Sequence, residues 1–292
     1  MYKLADSKRE NRFVGERVKR MDKASIIGIL LAIVSVSTGM IMKGVELSVL
    51  VNPAAILIIL VGTAAAVFVA FPTYELLKVP KLIRIIFSDE QTISHDELIY
   101  TFSEWAQIAR KEGLLALEKI SETVEDNFLR NGLNMAVEGQ SAEYIRNILS
   151  DEIEAMEERH SVGAQIFTQA GTYAPTLGVL GAVVGLIAAL GNMSDTEVLG
   201  QAISAAFVAT LMGIFTGYLL WHPFANKLKR KSREEVGRKE MMIEGILSIL
   251  EGEAPRSIEQ KLSSYLPSAE RKKWLEGEMR DYVQTTKEEI SA

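Results

Sequence analysis

Four long stretches of this 292-residue chain carry no charged side chain. A helix needs about 20 mostly apolar residues to cross the hydrocarbon core of a bilayer, and each stretch approaches or exceeds that length. Buried helices of water-soluble proteins usually keep one polar face, whereas these stretches show almost none. The sequence therefore predicts an all-α integral membrane protein with four transmembrane helices. The stretches are Ala24–Met42, Pro53–Phe71, Ala164–Leu190 and Val198–His222.

The four stretches form two pairs, each joined by a short connection. Lys43–Asn52 separates the first two stretches, and Gly191–Glu197 separates the last two. Each pair should therefore fold as a helical hairpin. A cleaved signal peptide is the alternative for the first stretch. That stretch is long for a signal peptide, and no small-x-small cleavage site precedes polar sequence, so we expect a retained helix.

Lysine and arginine predict the orientation of these hairpins. The segment Lys3–Lys23 is rich in both residues, and KLKRKSR (Lys227–Arg233) follows the fourth stretch. The connection Gly191–Glu197 holds no base. Since short loops rich in lysine and arginine stay in the cytoplasm, both termini and the long middle segment should be cytoplasmic.

The middle segment and the C-terminal arm have helical patterns. Apolar residues recur every three or four positions in Leu98–Ile120, which predicts an amphipathic helix that Gly113 can break. Ala142–Arg159 is predicted as a further helix, and Lys227–Leu250 as a helix that Gly252 ends. The expected divisions are a basic cytoplasmic extension (1–23), a transmembrane hairpin (24–73), a cytoplasmic helical domain (74–163), a second transmembrane hairpin (164–222) and cytoplasmic C-terminal helices with a tail (223–292).

The sequence gives little support for an enzymatic function. There is no cysteine, and the three histidines match no metal-ligand spacing. No nucleophile–base pair is evident, and the glycines of Gly178–Gly185 lie in an apolar helix without the Lys-Ser/Thr ending of a phosphate loop. The formal net charge of −6 argues weakly against nucleic acid as a partner. We expect neither catalysis nor a cofactor or metal.

The apolar stretches contain hydroxyls but no acid. A proton relay through a membrane needs an ionisable group within it. If ions pass, the titrating carboxylate must therefore come from a partner chain. The hydroxyls of the last two stretches belong to Thr168, Thr172, Tyr173, Thr176, Ser204, Thr210, Thr216 and Tyr218.

Small residues recur every four positions in these two stretches, for example from Ala205 to Gly217 and from Gly178 to Ala182. Such stripes let helices approach closely, within the chain or between copies, and several of them favour an oligomer.

Pro175 and Pro223 mark the cytoplasmic ends of the two stretches. Each is either a tolerated membrane proline or a flexible joint, and the spacing does not choose between these interpretations.

Several segments together resemble the MotA family of flagellar stator subunits, whose superfamily includes the TolQ and ExbB energisers. The likeness runs from about Met21 to Pro267 and is nearest to the Gram-positive type. The segments that carry it are MDKASIIGILLAI, NPAAILIILVGT, FSEWAQIARKEGLLALE, GQSAEYIR, AGTYAPTLGVLGAVVGLIAAL and GQAISAAFVATLMGIFTGYLLWHPFA.

The resemblance implies a bacterial inner-membrane ring of five such chains around two copies of a MotB-like partner. That partner binds peptidoglycan and brings a membrane helix with the channel aspartate. Proton passage at the aspartate would turn the ring, whose cytoplasmic part would push on the rotor protein FliG.

The resemblance also implies roles for individual residues. Arg110 and Glu118 match the rotor-contacting pair, and on one continuous helix their spacing of eight would place them on similar faces. Sodium-driven relatives carry threonine where this chain has Ala182, which favours protons over sodium ions. The residues that the resemblance places along the ion pathway are Pro175, Ala182, Thr210, Tyr218 and Pro223.

Two other functions remain as alternatives. A TolQ/ExbB-type energiser of envelope machinery would typically have three spans and an external N-terminus. A membrane scaffold without ion flow would leave motility intact when deleted. The extension before Met21 departs from the family pattern, and we expect a solvated tail or a start that belongs at Met21.

Overall fold

The structure is a computed structural model that describes residues 20–89, 93–191, 195–274 and 276–277. The predicted N-terminal extension lies almost wholly outside these residues. The chain divides into two compact units. We call the described residues of 20–89 and 157–232 the membrane unit, and the described residues of 93–156 and 233–277 the globular unit.

Four helices are long and apolar enough to cross a membrane, which confirms the predicted number of transmembrane helices. We refer to residues 23–42, 53–70, 164–190 and 198–222 as the first to fourth spans. The helices that contain these spans are Lys23–Met42, Leu47–Ala70, Ala142–Leu190 and Thr196–Leu250.

Side-chain caps fix where three spans begin. The Asp22 carboxylate accepts a hydrogen bond from the Ala24 N–H at 3.1 Å, at the start of the first span. The Asn52 side chain accepts from the Ala55 N–H at 3.1 Å, and Asp195 accepts from the Glu197 N–H at 3.0 Å. Aspartate and asparagine satisfy backbone donors that a helix start would leave unpaired.

Two π-turns interrupt the second and fourth spans, at Leu57–Val61 and Gly217–Trp221. In the fourth span the His222 N–H donates to the Gly217 carbonyl, five residues earlier. Pro223 follows and has no N–H to continue an α-helical ladder. The wider turn therefore lies where the proline removes a backbone donor. The apolar residues around each π-turn carried no sign of it in the sequence.

The rest of the membrane unit consists of short elements beside the spans. The extended pairing among the described residues is one antiparallel bridge of Arg20–Met21 with Ser88–Asp89, which leaves the fold all-α. The Asp22 N–H donates to the Phe87 carbonyl at 3.0 Å next to this bridge. The short elements are the 3₁₀ turn Leu47–Leu50 and the helices Thr73–Leu76 and Val79–Phe87, while Pro53–Ile56 and Gly62–Ala70 are the parts of the second span on either side of its π-turn.

The globular unit packs its helices around a continuous apolar core. Phe102, Leu149 and Ile246 are fully buried in it. A Cβ on Gly245 would lie 2.6 Å from the Phe102 ring, so only glycine allows that contact. Its elements are His95–Glu112, the 3₁₀ turn Leu114–Leu117, Glu118–Thr123, Asn127–Val137, Pro255–Leu262, the 3₁₀ turn Ser263–Tyr265, the first part of Ala142–Leu190 and the last part of His222–Leu250.

The helix predicted over Leu98–Ile120 is broken at Gly113. This glycine has φ of +88°, a conformation that other residues rarely adopt, and the preceding helix ends at Glu112. Glu118 begins a separate helix after the 3₁₀ turn. Arg110 and Glu118 therefore lie on different helices, so their spacing of eight does not place them on one helix face.

An ionic network joins three helices of the globular unit, Ala142–Leu190, His222–Leu250 and Pro255–Leu262. The Lys261 ammonium lies 2.5 Å from one Glu244 carboxylate oxygen, and Arg146 lies 3.2 Å from the other. Burial works to raise the pKa of the Glu244 carboxyl, but the hydrogen bonds and charges of Lys261 and Arg146 outweigh it and hold that pKa below its usual range. Glu244 therefore contributes stability in its charged form.

Replacing Lys261 with methionine should lower the thermal stability of the purified chain at pH 7. Because the pKa of Glu244 is depressed in the folded state, the stability that it contributes is present above its unfolded pKa of about 4.3 and is lost as pH falls through the depressed value. Melting curves in detergent between pH 7 and pH 3 should show the deficit of Lys261→Met shrinking towards acid pH. Lys272→Met, which removes an exposed pair with Glu276, is the control. An equal deficit at both pH values would contradict the assignment.

Candidate functional site

The third and fourth spans approach each other at two glycines. A Cβ on Gly178 would lie 2.9 Å from the Ala209 carbonyl oxygen and 3.0 Å from Gly213 Cα. A Cβ on Gly213 would lie 2.7 Å from the Ala174 carbonyl oxygen and 2.8 Å from Gly178 Cα. The two backbones are thus in direct contact, which only glycine permits.

Other members of the small-residue stripes pack at the same helix pair. A Cβ on Gly181 would lie 3.2 Å from the Ala209 methyl, and one on Gly185 would lie 3.2 Å from the Ala206 methyl. One chain therefore uses these stripes to hold its own second hairpin together. The stripes carry no independent support for an oligomer, although they allowed that interpretation in the sequence.

The structure brings three of the expected pathway residues together. A Cβ on Gly217 would lie 2.7 Å from Pro175 Cγ, so the proline ring packs against the start of the second π-turn. Tyr218 lies within that turn, and Pro223 follows it after one residue. The helix Ala142–Leu190 runs without interruption through Pro175.

Thr210 and Ala182 lie further along the hairpin, away from the π-turn. Their neighbours Ala209 and Gly181 contact each other, so the two residues lie at one level of the helix pair. Both are partly buried. The five expected residues thus occupy two levels of the second hairpin, one around Pro175 and Gly217 and one around Thr210.

The threonine hydroxyls of this hairpin donate to their own helices. Thr210 Oγ1 donates to the Ala206 carbonyl at 3.3 Å, and Thr216 Oγ1 donates to the Met212 carbonyl at 2.9 Å. Thr168, Thr172 and Thr176 do the same at 3.1, 3.1 and 3.3 Å. Because each hydroxyl hydrogen is already donated to a backbone carbonyl, each hydroxyl oxygen can only accept a hydrogen bond from a donor outside the helix. The hydroxyls can assist ion transfer but cannot replace an acid.

Within the membrane unit, the structure also reveals two buried polar atoms that sequence reasoning missed. Thr63 Oγ1 and Trp221 Nε1 have no hydrogen-bond partner among the described residues. Thr63 lies one helical turn from Ile59 and one from Val67, and Trp221 packs against the clusters that contain each of these residues. A lone threonine in an apolar stretch gives no sign that its hydroxyl lacks a backbone acceptor.

Thr63→Val should raise the thermal stability of the detergent-purified chain by about 1 kcal/mol. Valine keeps the shape of threonine and removes a hydroxyl that is buried without a partner. Thr216→Val is the matched control, because the buried Thr216 hydroxyl is hydrogen-bonded and its loss should not stabilise. A lower melting temperature for Thr63→Val than for the unaltered chain would show that the hydroxyl has a partner in the protein.

The expected rotor-contact residues lie in the globular unit. Arg110 is in the last turn of His95–Glu112, and Glu118 begins the next helix. Both side chains are exposed, and neither forms an ion pair with any residue that the structure describes. Their charges are therefore available to a molecule outside the chain.

No group of three or more histidine, cysteine, aspartate or glutamate side chains suited to a metal occurs among the described residues. His160 Nδ1 lies 3.1 Å from Ser232 Oγ, and His222 contacts Tyr218.

The fold and the hairpin define the class of this protein. It is a multi-pass membrane protein whose last two spans carry hydroxyls and prolines and lack any acid. Residues 26–113 match the family model for the N-terminal part of motility protein A, and residues 120–241 match the MotA/TolQ/ExbB proton channel family. The chain belongs to the MotA/TolQ/ExbB proton channel family, which confirms the resemblance found in the sequence.

Individual relatives agree with this family. The chain is 66% identical over 256 residues to motility protein A of Bacillus subtilis, covering 88% of this chain and 95% of the relative. It is similar to a chain in the structure of the flagellar MotAB stator complex from Bacillus subtilis, with a TM-score of 0.83, 66% identity and coverage of 87% and 99% of the two chains. The C. jejuni MotAB structure gives a TM-score of 0.81 at 33% identity, covering 85% and 97%.

Proposed function

We propose that the chain is a stator subunit of a flagellar motor, which couples ion flow across the membrane to rotation of the rotor. The similarity over most of the chain to motility protein A and to a chain of the MotAB stator complex carries this proposal. The four spans and the acid-free second hairpin support it physically. A TolQ/ExbB-type energiser is not favoured, since that type typically has three spans.

A MotB-like partner would supply the carboxylate that the spans lack. A carboxylate that gains and loses a proton in the membrane needs polar neighbours, and the oxygens of Thr210 and Tyr218 offer them. Large apolar side chains on the last two spans are exposed in the single chain, including Val183, Phe207 and Ile214. We propose that partner helices and further copies, five in all by family, cover part of this surface, and that lipid covers the rest.

We propose protons as the transported ion. At the level of Thr210, position 182 is alanine, whose methyl offers no oxygen ligand, whereas sodium ions require oxygen ligands. Proton transfer needs hydrogen-bonding groups and no fixed cage of ligands.

Pro175 and Pro223 flank the second π-turn, and we propose that this stretch is the flexible joint of the pathway.

We propose a placement in the bacterial inner membrane, as the family implies, and the lysine and arginine distribution supports an orientation with both termini in the cytoplasm. In this orientation, residues 74–163 form the cytoplasmic domain between the hairpins 24–73 and 164–222. Residues 223–292 follow the second hairpin as the C-terminal helices and tail, and residues 1–23 are the basic extension. Arg110 and Glu118 would then face the cytoplasm, where the rotor protein FliG would meet them. The role is mechanical and electrostatic, and we propose no enzymatic activity.

Complementation of a strain that lacks its stator subunit tests this function. The chain, expressed with the MotB-like partner from its own genome, should restore swimming. The speed should not depend on sodium concentration and should fall when a protonophore is added. Speed that follows sodium concentration would overturn the choice of ion, and the absence of swimming despite normal membrane levels of both proteins would overturn the stator role.

A further inference from the structure

His222 is the one side chain in the four uncharged stretches that belongs to a type able to gain and lose a proton near neutral pH. Those stretches contain no aspartate, glutamate, lysine or arginine. An ionisable side chain at such a place is costly in lipid and commonly marks an ion pathway. The pathway described above does not use this histidine.

The His222 ring is held against the third span by a glycine. A Cβ on Gly171 would lie 2.8 to 2.9 Å from three atoms of the imidazole, including Nδ1. Any larger residue at position 171 would therefore push the ring away. On the next turn, Gly217 contacts the Gly171 carbonyl and Pro175 in the same close manner. The imidazole thus packs against Gly171, one helical turn from Pro175 on the third span.

Two residues of the expected pathway lie next to His222, one in contact with its ring and one beside it in the chain. The Tyr218 ring lies one turn earlier, with its centroid 5.3 Å from that of His222, and Tyr218 is 61% exposed. Pro223 is the next residue in the chain. The His222 ring is partly buried, and its nitrogens make no hydrogen bond with the described residues. Its proton-carrying atoms are therefore available to water or to a partner chain.

The charged groups nearest in sequence to His222 are already paired. Lys227, five residues further along, forms an ion pair with Asp22 and donates to Ser25 Oγ at 2.7 Å. On the third span, the side chains around Gly171 are Thr168, Thr172 and Pro175, none of which carries charge. None of these neighbours therefore offers an unpaired charged group that could transfer a proton in place of the imidazole.

We propose that His222 is a proton-transfer residue at the cytoplasmic end of the pathway, acting within the stator function proposed above. One ring nitrogen forms an N–H bond with an arriving proton as an acidic O–H bond breaks, and imidazolium results. The imidazolium then gives a proton to cytoplasmic water and returns to its neutral form. The Tyr218 hydroxyl and bound water connect the ring to the carboxyl of the partner.

Substitutions of His222 in the complemented strain test this role, starting from a strain in which the unaltered chain restores swimming. His222→Gln keeps a polar side chain of similar size, and His222→Phe keeps a flat ring against Gly171. Neither can carry a proton, so both should reduce swimming speed by about tenfold or more. Membrane levels and co-purification with the partner should stay normal. His95→Gln, in the globular unit, is the matched control and should swim normally.

Chemical rescue separates proton transfer from packing. His222→Ala should lose speed in the same way and should recover part of it when imidazole is added to the medium. A positioning role for the ring would not respond to imidazole. Normal swimming of His222→Gln or His222→Phe would overturn the proposal, as would a loss that imidazole does not restore or a failure of all three variants to accumulate. If the unaltered chain does not restore swimming, the stator function itself fails, which is a distinct result.

Discussion

Gly213→Ala should separate the third and fourth spans and abolish swimming. The new methyl would lie 2.7 Å from the Ala174 carbonyl oxygen and 2.8 Å from Gly178 Cα. Both are backbone atoms, so no side-chain rotation can relieve the clash. Overpacking of this kind costs about 3 kcal/mol at the upper end of its usual range. We expect a clear fall in melting temperature of the purified chain and no swimming in the complemented strain.

Gly200→Ala is the matched control for this result. Gly200 lies on the same helix, and a Cβ there would meet no atom within 4 Å. Since alanine favours helix over glycine by up to about 1 kcal/mol, this change should leave stability equal or higher. The two variants make the same chemical change with opposite expected signs. A Gly213→Ala chain that melts like Gly200→Ala would show that the spans do not touch there.

Arg110→Glu should abolish or strongly reduce swimming while the protein stays folded in the membrane. The side chain is exposed and has no ion-pair partner among the described residues, so reversing its charge should change folding stability by less than about 0.5 kcal/mol. If Arg110 faces an acidic group of the rotor, the reversal turns attraction into repulsion and costs about 2 kcal/mol or more at that contact. Swimming speed and the membrane level of the protein are the two measurements.

Lys111→Glu separates a specific contact from a general charge effect. Lys111 is the next residue of the same helix turn, and it is also exposed and outside any ion pair of the described residues. The net charge of the chain changes equally in both variants. If Arg110 makes a defined contact, Lys111→Glu should swim better than Arg110→Glu. An equal loss of swimming speed in both variants would indicate a general electrostatic effect of the surface charge and would exclude a specific contact by Arg110.

The spans could be predicted because lipid imposes a length and forbids charge. Both conditions are properties of the sequence alone, and all four uncharged stretches coincide with membrane-length helices, the second ending one residue beyond its helix. Helix ends with a defined chemical cause were also predictable. Gly113 and Gly252 have φ of +88° and +72°, and both end helices where the sequence indicated a break.

The continuity of the longest helix was harder to predict. The sequence indicated separate helices over Ala142–Arg159 and Ala164–Leu190, because the composition changes sharply from charged to apolar between them. The structure has one helix of 49 residues, Ala142–Leu190. A change in composition marks a change of surroundings, and it does not by itself interrupt the backbone hydrogen bonds of a helix.

Some features of the candidate site could likewise be predicted from the sequence, and others could not. The absence of an acid could be read directly from the sequence and required a partner. The contacts of Gly171 with His222 and of Gly217 with Pro175 depend on how two spans approach, which no local pattern encodes. The roles of Arg110 and Thr210 came from family resemblance, because an exposed arginine or a membrane threonine is common in proteins of many functions. These roles remain predictions for the variants to test.

The threonines of the second hairpin have a consequence for which ions the pathway would admit. Thr168, Thr172, Thr176, Thr210 and Thr216 each give their hydrogen to a carbonyl of their own helix. Apart from Thr216, which is buried, these threonines can offer only lone pairs to a neighbouring molecule. If they line the pathway, a chloride ion beside them would find no threonine hydrogen to solvate it, while a cation or hydronium would find several oxygens. Such a surface would favour cations over anions without any formal charge on the threonines.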